Sequence, residues 1–590
     1  MSLIRELQKM IESAIEEAGY DAKLVCDGII NISDRPDLSD FQSNFALKVS
    51  KIYKKNPILI ADDIKIKLEK NSVFSKVSVD GPGFINVNVS DEYLVKFVTE
   101  MSKDKNFGIK SGEKKKIIID YGGANIAKPL HVGHLRSAII GEGLKRLAKL
   151  LGNEVISDVH LGDWGRQMGM VISEIKKRNP QLPYFNDNFL GDYPVESPVT
   201  LQELEEIYPK ASLDAKNDER RMEEAREATS ILQDCTRKQH SGYYALWKHL
   251  VNVSVADLKK IYDRLDVTFD LWKGESDSYS DIPEMLSILE KQELIESSGD
   301  TLIMNVSLET DTKEIPPLIL KTKNNTYGYQ ATELATMLNR IKIYDPDEIW
   351  YVADKRQDLH FEQCFRAAYK SKIVSETVGL KFLGFGTMNG KDGKPFKTRA
   401  GGVMKLVDLL DLVKEHEMHI INKDYDPKEI DEISEIISKG CIKYADAISN
   451  RETDYIFDVD KFTNVNGKTG AYILYSTVRI NSILNNAIND GMKINGDLIL
   501  PESDIERCLL LYISKLSDVI QDAYNVKSLN IIAEYLYELN SYYGNFYNNF
   551  KILIEENPKK RESWLSLSLI VKNINSLLLD CLSIEIPNKI

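Results

Sequence analysis

The strongest constraint on this chain is a short loop between a predicted strand and a predicted helix. Lys116–Asp120 is an apolar run typical of a buried strand, and Leu135–Leu151 has the apolar spacing of a helix. Between them lies Ala124–His134, which contains His131 and His134. A loop that follows a parallel strand and opens a helix favours phosphate, because unpaired N–H groups and the helix dipole attract negative charge there. The segment therefore predicts a nucleotide site.

The two histidines are the candidate reactive groups of this loop. His131 and His134 are three residues apart, so in a first helical turn they share one face. Gly133 has no side chain, which would let a flat adenine ring approach the backbone. A His-x-Gly-His sequence also arises by chance, and histidines are more often packed or solvated than catalytic. The neighbouring strand and helix, with Lys128 upstream, favour function.

Length and composition limit the class of protein. The chain has 590 residues, of which 43% are hydrophobic and 28% charged, so several folded domains are expected. A net charge of −14 weighs against nucleic-acid binding, although a local basic face can still supply phosphate affinity. Scattered cysteines without a C-x-x-C argue against zinc or a disulfide framework. Neither a signal peptide nor a membrane-spanning run is predicted, so we expect a cytoplasmic protein with no membrane partner.

The chain divides into three predicted domains. Residues 1–113 mix helices and strands, which predicts an α+β domain. Residues 114–430 alternate strands with helices, which is typical of a parallel sheet, and carry a helical insertion at about 180–265. Residues 431–590 are helical throughout.

Two local predictions belong to the first domain, and one belongs to the last. Leu24–Ile32 is predicted as a strand and Phe41–Ile52 as a helix. Tyrosines crowd the helical domain; Tyr542 and Tyr547 could stack on unpaired bases, although core packing is the more frequent role of such residues.

A second loop, Gly390–Gly402, is rich in basic residues. It contains Lys391, Lys394, Lys397 and Arg399 among four glycines. Such a loop suits a pyrophosphate leaving group, whose charge grows in the transition state. A surface turn is the alternative, and the density of cations favours phosphate contact. The expected metal is Mg²⁺ carried in by a nucleotide rather than a metal held by the protein.

These motifs together resemble the class I arginyl-tRNA synthetase family, over nearly the whole chain. The resemblance covers the extended HIGH region, the next strand end, the KMSKS loop, the junction to the anticodon domain and the N-terminal added domain. The corresponding segments are Asp120–Gly141, His160–Gly169, Gly390–Gly402, Lys443–Asp446 with Asn450–Asp458, and Asp40–Lys48 with Gly81–Asn86.

The resemblance implies a fold and a reaction. The fold would be an α/β Rossmann-type parallel-sheet catalytic domain, with an N-terminal α+β domain and a C-terminal all-α helical-bundle domain. The reaction would be that of an arginine–tRNA ligase. L-Arginine would be activated by ATP with Mg²⁺ to arginyl-adenylate and transferred to the 3′ end of tRNA(Arg), giving AMP and diphosphate. No tightly bound cofactor, no zinc and no other metal are implied.

The resemblance also implies roles for single residues. The catalytic residues would be His131, His134, Lys128 and Lys397. ATP would be bound by Gly133, His131, His134, Lys128, Lys394 and Lys397. Arginine would be bound by Asn125, Glu275, Tyr329, Glu333 and Gln357. The HIGH region would comprise Ala124, Asn125, Ile126, Ala127, Lys128, Pro129, Leu130, His131, Val132, Gly133 and His134.

Two positions depart from the family pattern. The KMSKS-like segment has two frames: Lys394–Thr398 keeps two lysines, whereas in Pro395–Arg399 the second lysine is Thr398. We prefer the second frame, because the family often loses that lysine and then carries one just before the HIGH region, where Lys128 stands. Glu333 occupies a position that is usually aspartate.

The resemblance implies that the N-terminal domain contacts the tRNA elbow and the helical domain reads the anticodon. We expect a monomer, and activation that requires tRNA. Two other functions are compatible with parts of this sequence. Another HxGH-type nucleotidyl-transferring enzyme would not need the long helical domain. A catalytically silent tRNA-binding protein would not need both histidines, Gly133 and the basic loop.

Overall fold

The computed structural model describes residues 2–25, 28–33, 35, 37–109, 112–234, 242–322, 326–394, 404–421 and 425–590. The chain forms two compact units. The first contains Met1–Lys110, Val465–Asp580 and Glu585–Ile590, and the second contains Ser111–Asn464 and Cys581–Ile584. Within the described ranges, every helix is too short or too polar to span a bilayer.

The N-terminal part of the first unit is an antiparallel sheet with helices. Its elements are α1 (Leu3–Glu17), β1 (Asn31–Ile32), β2 (Phe41–Ser43), α2 (Phe45–Tyr53), α3 (Pro57–Leu68), β3 (Phe74–Asp80), β4 (Phe84–Val89) and α4 (Asp91–Ser102). The strand order is β1-β2-β4-β3. The apolar stripe of α1 is buried, with Leu7, Ile11 and Ile15 at 0% exposure, as the helical spacing predicts.

Two local predictions in this part are wrong. Among the described residues of the strand predicted over Leu24–Ile32, only Asn31–Ile32 forms a strand, and residues 22–24 form a short 3₁₀ helix. The helix predicted from Phe41 begins at Phe45. Phe41–Ser43 pairs with β4 as a strand, and the Phe45 N–H donates to Ser43 Oγ at the start of the helix. Here pairing with a distant strand overrides local helical periodicity.

The second unit is built on a parallel sheet. Its elements in chain order are β5 (Lys116–Asp120), α5 (Val132–Leu150), β6 (Glu154–Asp158), α6 (Arg166–Arg178), α7 (Leu201–Asn217), α8 (Glu219–Gln233), α9 (Gly242–Arg264), α10 (Glu275–Ser278), α11 (Ile282–Lys291), β7 (Glu296–Ser298), β8 (Thr301–Met304), β9 (Leu318–Lys321), α12 (Tyr329–Tyr344), β10 (Glu348–Tyr351), α13 (Asp358–Lys370), β11 (Gly379–Phe382), β12 (Met388–Asn389), α14 (Leu406–Ile420), α15 (Pro427–Ala447), β13 (Tyr455–Ile456) and α16 (Val459–Phe462).

The order of the parallel strands fixes where a ligand can bind. The sheet runs β11-β10-β5-β6, so the chain leaves β5 toward one side and later returns to its other side at β10. At such a reversal the loops diverge and leave a crevice at the carboxyl ends of the strands. Ala124–His134 follows β5 directly and therefore lies at this crevice. The predicted parallel-sheet architecture is present.

The C-terminal part of the first unit is helical, as predicted. Its helices are α17 (Gly470–Asn489), α18 (Asp504–Ile513), α19 (Leu516–Val526), α20 (Asn530–Asn549) and α21 (Pro558–Cys581). The side-chain amides of Asn540 and Asn575 pair in its core, 2.9 Å apart. Tyr542 is 37% exposed, with its ring 4.8 Å from that of Tyr512, and Tyr547 lies against Arg479.

One arginine joins the N-terminal and C-terminal parts of this unit. Both terminal nitrogens of Arg507 donate to the Asp40 carboxylate, at 2.9 and 2.7 Å, and its Nε donates to Asp91. The Asp40 side chain is only 5% exposed. Its Oδ2 also accepts the Val89 N–H. The guanidinium holds this buried carboxylate through two hydrogen bonds, and loss of either partner would leave a charge buried without compensation.

We predict that Arg507→Met destabilises the first unit by about 2–3 kcal/mol, because it leaves the Asp40 carboxylate buried without its cation. The expected readout is a lower first thermal transition in calorimetry. Arg35→Met is the matched control, since Arg35 and Asp37 also form an ion pair but are 64% and 58% exposed. Because water already solvates both of these charges, Arg35→Met should leave the transition almost unchanged. Equal shifts for the two variants would contradict the prediction.

Candidate active site

The loop after β5 is held by backbone hydrogen bonds. The Ile126 N–H donates to the Gly162 carbonyl, and the Gly162 N–H donates to Ala124, so the loop is joined to the segment that follows β6. Ala127 has a positive φ of 65°, and its N–H donates to Ser254 Oγ at 3.1 Å. A non-glycine residue in this conformation is held by its surroundings. The loop is therefore fixed on both sides of Ala127.

His131 and His134 cap the N-terminus of α5. His131 is the N-cap residue, and its Nδ1 accepts the Gly133 N–H at 3.0 Å. His134 Nδ1 accepts the His131 N–H at 3.1 Å. The ring centroids are 3.8 Å apart, so the predicted shared face is present. Because each Nδ1 accepts a hydrogen bond, the proton of each neutral ring is on Nε2, which is left to donate to a ligand.

Both histidines are held in the neutral form. Burial lowers the pKa of His134 to about 3, and the charge of Lys128 adds to this effect. Burial also lowers the pKa of His131, with further contributions from Lys128 and Arg356. Two neutral Nε2–H donors at a helix N-terminus can stabilise developing negative charge on a phosphate.

Gly133 is required by its neighbour's ring. A Cβ at this position would lie 2.8 Å from His131 Cε1 and 2.9 Å from its Nδ1. Any side chain would therefore push the imidazole out of its capping position. Gly133 itself is exposed, which agrees with the expectation that a ligand can approach its backbone.

Lysines flank the histidines on both sides. The Lys128 ammonium lies 4.3 Å from the ring centroid of Tyr208 on α7. The Val132 N–H donates to the Met404 carbonyl, and His131 pairs with Lys405 as an antiparallel bridge. The segment that follows the second basic loop is thus joined directly to the first loop.

Only the start of the second basic loop can be described. The Gly390 N–H donates to the Lys394 carbonyl, and Lys394 is exposed. The Lys391 ammonium pairs with Asp458 and Asp460, each at 2.9 Å. Lys397 lies outside the described residues, and so does the part of both KMSKS-like frames from Pro395 onward.

A buried glutamate, Glu275, lies beside a cavity next to α10 and α12. Glu275 begins α10 and lines a cavity of about 420 Å³ together with Tyr329, the first residue of α12. Burial raises the pKa of Glu275 to about 7, and the charges of Asp163 and Glu333 add to this effect. Arg166 and Arg226 also line the cavity, so its described lining carries two cations and one acidic residue.

Glu333 lies one helical turn after Tyr329. Its Oε1 is buried and has no hydrogen-bond partner among the described residues. Burial raises the pKa of the Glu333 carboxyl. A buried carboxylate oxygen without a donor is costly unless a ligand supplies one.

A buried, paired arginine lies close enough to Glu333 for its charge to act on that carboxyl. Arg340 donates to Asp120 at the end of β5 and to Asp158 at the end of β6, at 2.6 and 2.8 Å. Burial alone would lower the pKa of His160, but Asp158 and Asp120 raise it to about 9. Ligand atoms of Asp120, Asp158 and His160 lie within 4.8 Å of one another. The guanidinium of Arg340 already supplies the cation there, so this cluster does not fit a metal ion.

The other predicted arginine ligands, Asn125 and Gln357, have contacts outside this cavity. Asn125 pairs with Gly162 through a parallel bridge, and its Oδ1 fills the space that a Gly162 Cβ would take. Gln357 is exposed, three residues before His360, whose ring contacts that of Tyr329 at 4.5 Å. Neither Asn125, Glu333 nor Gln357 lines the 420 Å³ cavity, which contains Glu275 and Tyr329.

Sequence reasoning missed Arg340 and Tyr208. The signal for Arg340 is in α12, where polar residues recur at helical spacing among apolar ones: Tyr329, Glu333, Thr336 and Arg340. Residues at this spacing share a face, so the cation could have been assigned to the side of Glu333. Tyr208 has no comparable signal, because its contact with Lys128 crosses eighty residues of chain.

Comparison with known proteins supplies three family matches. Residues 97–459 match "tRNA synthetases class I (R), catalytic domain". Residues 5–89 match the "Arginyl tRNA synthetase N terminal domain", and residues 473–590 match the "DALR anticodon binding domain".

Individual relatives agree with these matches. The arginine–tRNA ligase of Alkaliphilus oremlandii is 48% identical, over 100% of this chain and 99% of that protein. That of Agathobacter rectalis is 42% identical over the same shares. Among solved structures, the arginyl-tRNA synthetase of Plasmodium falciparum is 26% identical and covers 100% of both chains with a TM-score of 0.80.

We predict that His134 stays neutral, with its proton on Nε2, from pH 8 down to pH 5, because its pKa is lowered to about 3. Selective ¹⁵N-histidine labelling, with the signals assigned by single variants, would show this in the ring-nitrogen shifts. His160 is the internal contrast, since its pKa of about 9 keeps it charged over the same range. A His134 signal that titrates near pH 6.5 would show that burial does not control this ring.

Proposed function

Since this chain belongs to the arginyl-tRNA synthetase family, we propose that it is an arginine–tRNA ligase. It activates L-arginine with ATP to arginyl-adenylate and transfers the arginyl group to the 3′ end of tRNA(Arg), releasing AMP and diphosphate. The observation that carries this proposal is a buried carboxylate oxygen of Glu333 that has no hydrogen-bond partner among the described residues. The charge of this carboxyl acts on the nearby Glu275.

The buried carboxyls of Glu275 and Glu333 would suit a guanidinium. Glu275 and Glu333 are close enough for the charge of Glu333 to act on Glu275, and burial removes the water that would otherwise solvate the two carboxyls. A guanidinium offers five donors in a planar fork that matches carboxylate oxygens. Tyr329 would cover the ligand, and Asn125 and Gln357 would complete the set at its rim. A neutral side chain would leave the carboxylates without compensation.

The ATP side of the site needs donors and cations. His131 and His134 would donate through Nε2 to the phosphates as diphosphate departs, and Gly133 would let the adenine approach. Lys128 would neutralise phosphate charge in place of the missing loop lysine, with Lys394 and Lys397 acting from the second loop. Mg²⁺ arrives with ATP as part of the substrate. Positioning and charge stabilisation would supply most of the rate.

The other segments would bind the tRNA. Residues 1–113 would contact the tRNA elbow, and residues 431–590 would read the anticodon, with residues 114–430 as the catalytic domain. We further propose a cytoplasmic monomer that requires tRNA for activation of arginine.

The direct test is a charging assay with total tRNA and each radiolabelled amino acid. We expect arginine alone to be esterified to tRNA, with a dependence on ATP and Mg²⁺. Binding of tRNA without any charging would instead support a silent binding protein.

Glu333→Gln should lower kcat/KM for arginine on the order of 100-fold, because an amide cannot pair with a buried guanidinium as a carboxylate does. Glu333→Asp keeps the charge on a shorter arm and should retain more activity than the amide. The KM for ATP should be unchanged in both variants, as measured by steady-state charging. Equal kcat/KM for Glu333→Gln and the parent enzyme would show that another carboxylate binds the guanidinium.

A further inference from the structure

Helix α7 contacts both lysines that flank the first loop. On one side, the Lys128 ammonium lies over the Tyr208 ring, 4.3 Å from its centroid. On the other, the Lys405 ammonium is 2.7 Å from Glu205 Oε2. Glu205 and Tyr208 are three residues apart and therefore share a face of α7. One face of this helix holds two cations beside His131.

The two contacts differ in their effect on charge. Glu205 is an anion and neutralises Lys405, whose charge also acts on the nearby carboxyl of Asp257. The Tyr208 ring attracts an ammonium through its quadrupole but carries no net charge. Lys128 therefore keeps its full positive charge while its side chain is held. Of these two lysines, Lys128 is the one that is held without an anionic partner.

The root of Lys128 is fixed as well as its end. The preceding residue, Ala127, has a positive φ and is held by Ser254 of α9. Pro209, which follows Tyr208 inside α7, lacks the N–H that would otherwise bond to the Glu205 carbonyl. Helices α7 and α9 thus hold the lysine at two points, one at the backbone and one at the ammonium.

We propose that Tyr208 is a positioning residue for Lys128, and that its ring holds the ammonium beside His131 so that it meets the ATP phosphates without a search through its rotamers. A lysine side chain has a large conformational freedom to lose on binding, and the ring removes part of that freedom in advance. A carboxylate in place of Tyr208 would hold the lysine too, but would be left unpaired beside the phosphates once the lysine moved. The inference rests on the proposed binding of ATP by Lys128.

The experiment is a double-mutant cycle with a conservative rescue. Tyr208→Leu removes the ring's quadrupole and should lower kcat/KM for ATP about tenfold, the size of one partly buried cation–π contact. Tyr208→Phe keeps the ring face and should stay within about twofold of the parent enzyme. Lys128→Ala should lose more than Tyr208→Leu, and the double variant should be no worse than Lys128→Ala alone. The KM for arginine should not change.

A second readout separates this inference from the charging activity. The Kd of MgATP, measured by calorimetry, should follow the same cycle whether or not tRNA is charged. Glu205→Gln is the matched control on the same face of α7, because it breaks the contact with Lys405 and leaves Tyr208 in place. It should leave the Kd of MgATP within about twofold. Thermal midpoints should match across the set.

Three results would overturn the inference. If the loss from Tyr208→Leu persists in the Lys128→Ala background, the tyrosine acts through general packing. If Tyr208→Phe is as poor as Tyr208→Leu, the hydroxyl rather than the ring matters. If Lys128→Ala binds MgATP as tightly as the parent enzyme, Lys128 does not contact the ATP phosphates. A different result would separate the two proposals. If the Kd of MgATP follows the double-mutant cycle but the parent enzyme charges no tRNA with arginine, the proposed function is refuted and the Tyr208 inference stands.

Discussion

The buried guanidinium of Arg340 is the interaction on which the candidate site depends. It bridges carboxylates at the ends of two adjacent parallel strands, Asp120 on β5 and Asp158 on β6. Without a cation between them, two buried like charges would oppose the strand pairing that brings them together. Because Arg340 is on α12, the same contact fixes the helix that carries Tyr329 and Glu333. One residue therefore fixes the position of α12 relative to the carboxyl ends of β5 and β6.

The balance of buried charges near Glu333 supports the proposal that a cation binds there. Arg340 and the protonated His160 compensate Asp120 and Asp158, whereas Asp163, Glu275 and Glu333 remain as additional buried acids. Burial raises the pKa of Asp163 to about 6 and that of Glu275 to about 7. A bound guanidinium would restore the charged forms of these groups, so binding would release protons to the solvent near neutral pH.

The sequence predicted those features that depend on residues close together in the chain. The strand, loop and helix around His131 follow from local periodicity, and so do the helical insertion and the helical C-terminal part. The strand at Phe41–Ser43 did not, because its partner β4 is more than forty residues away. Arg340 and Tyr208 were missed for the same reason: each acts through a contact that only the folded sheet and helices bring together. The conformation of Ala127 likewise depends on Ser254, and nothing in its own neighbourhood predicts a positive φ.

The contact between Asp40 and Arg507 has a consequence for how the chain is made. The two residues are 467 positions apart, yet both belong to one compact unit. At roughly 5–20 residues per second, a ribosome needs about 20–90 s to synthesise the intervening chain. During that time the N-terminal sheet exists without the helices that later bury its carboxylate. The N-terminal sheet is therefore made well before it reaches its final packing, and it must stay soluble until the helices are made.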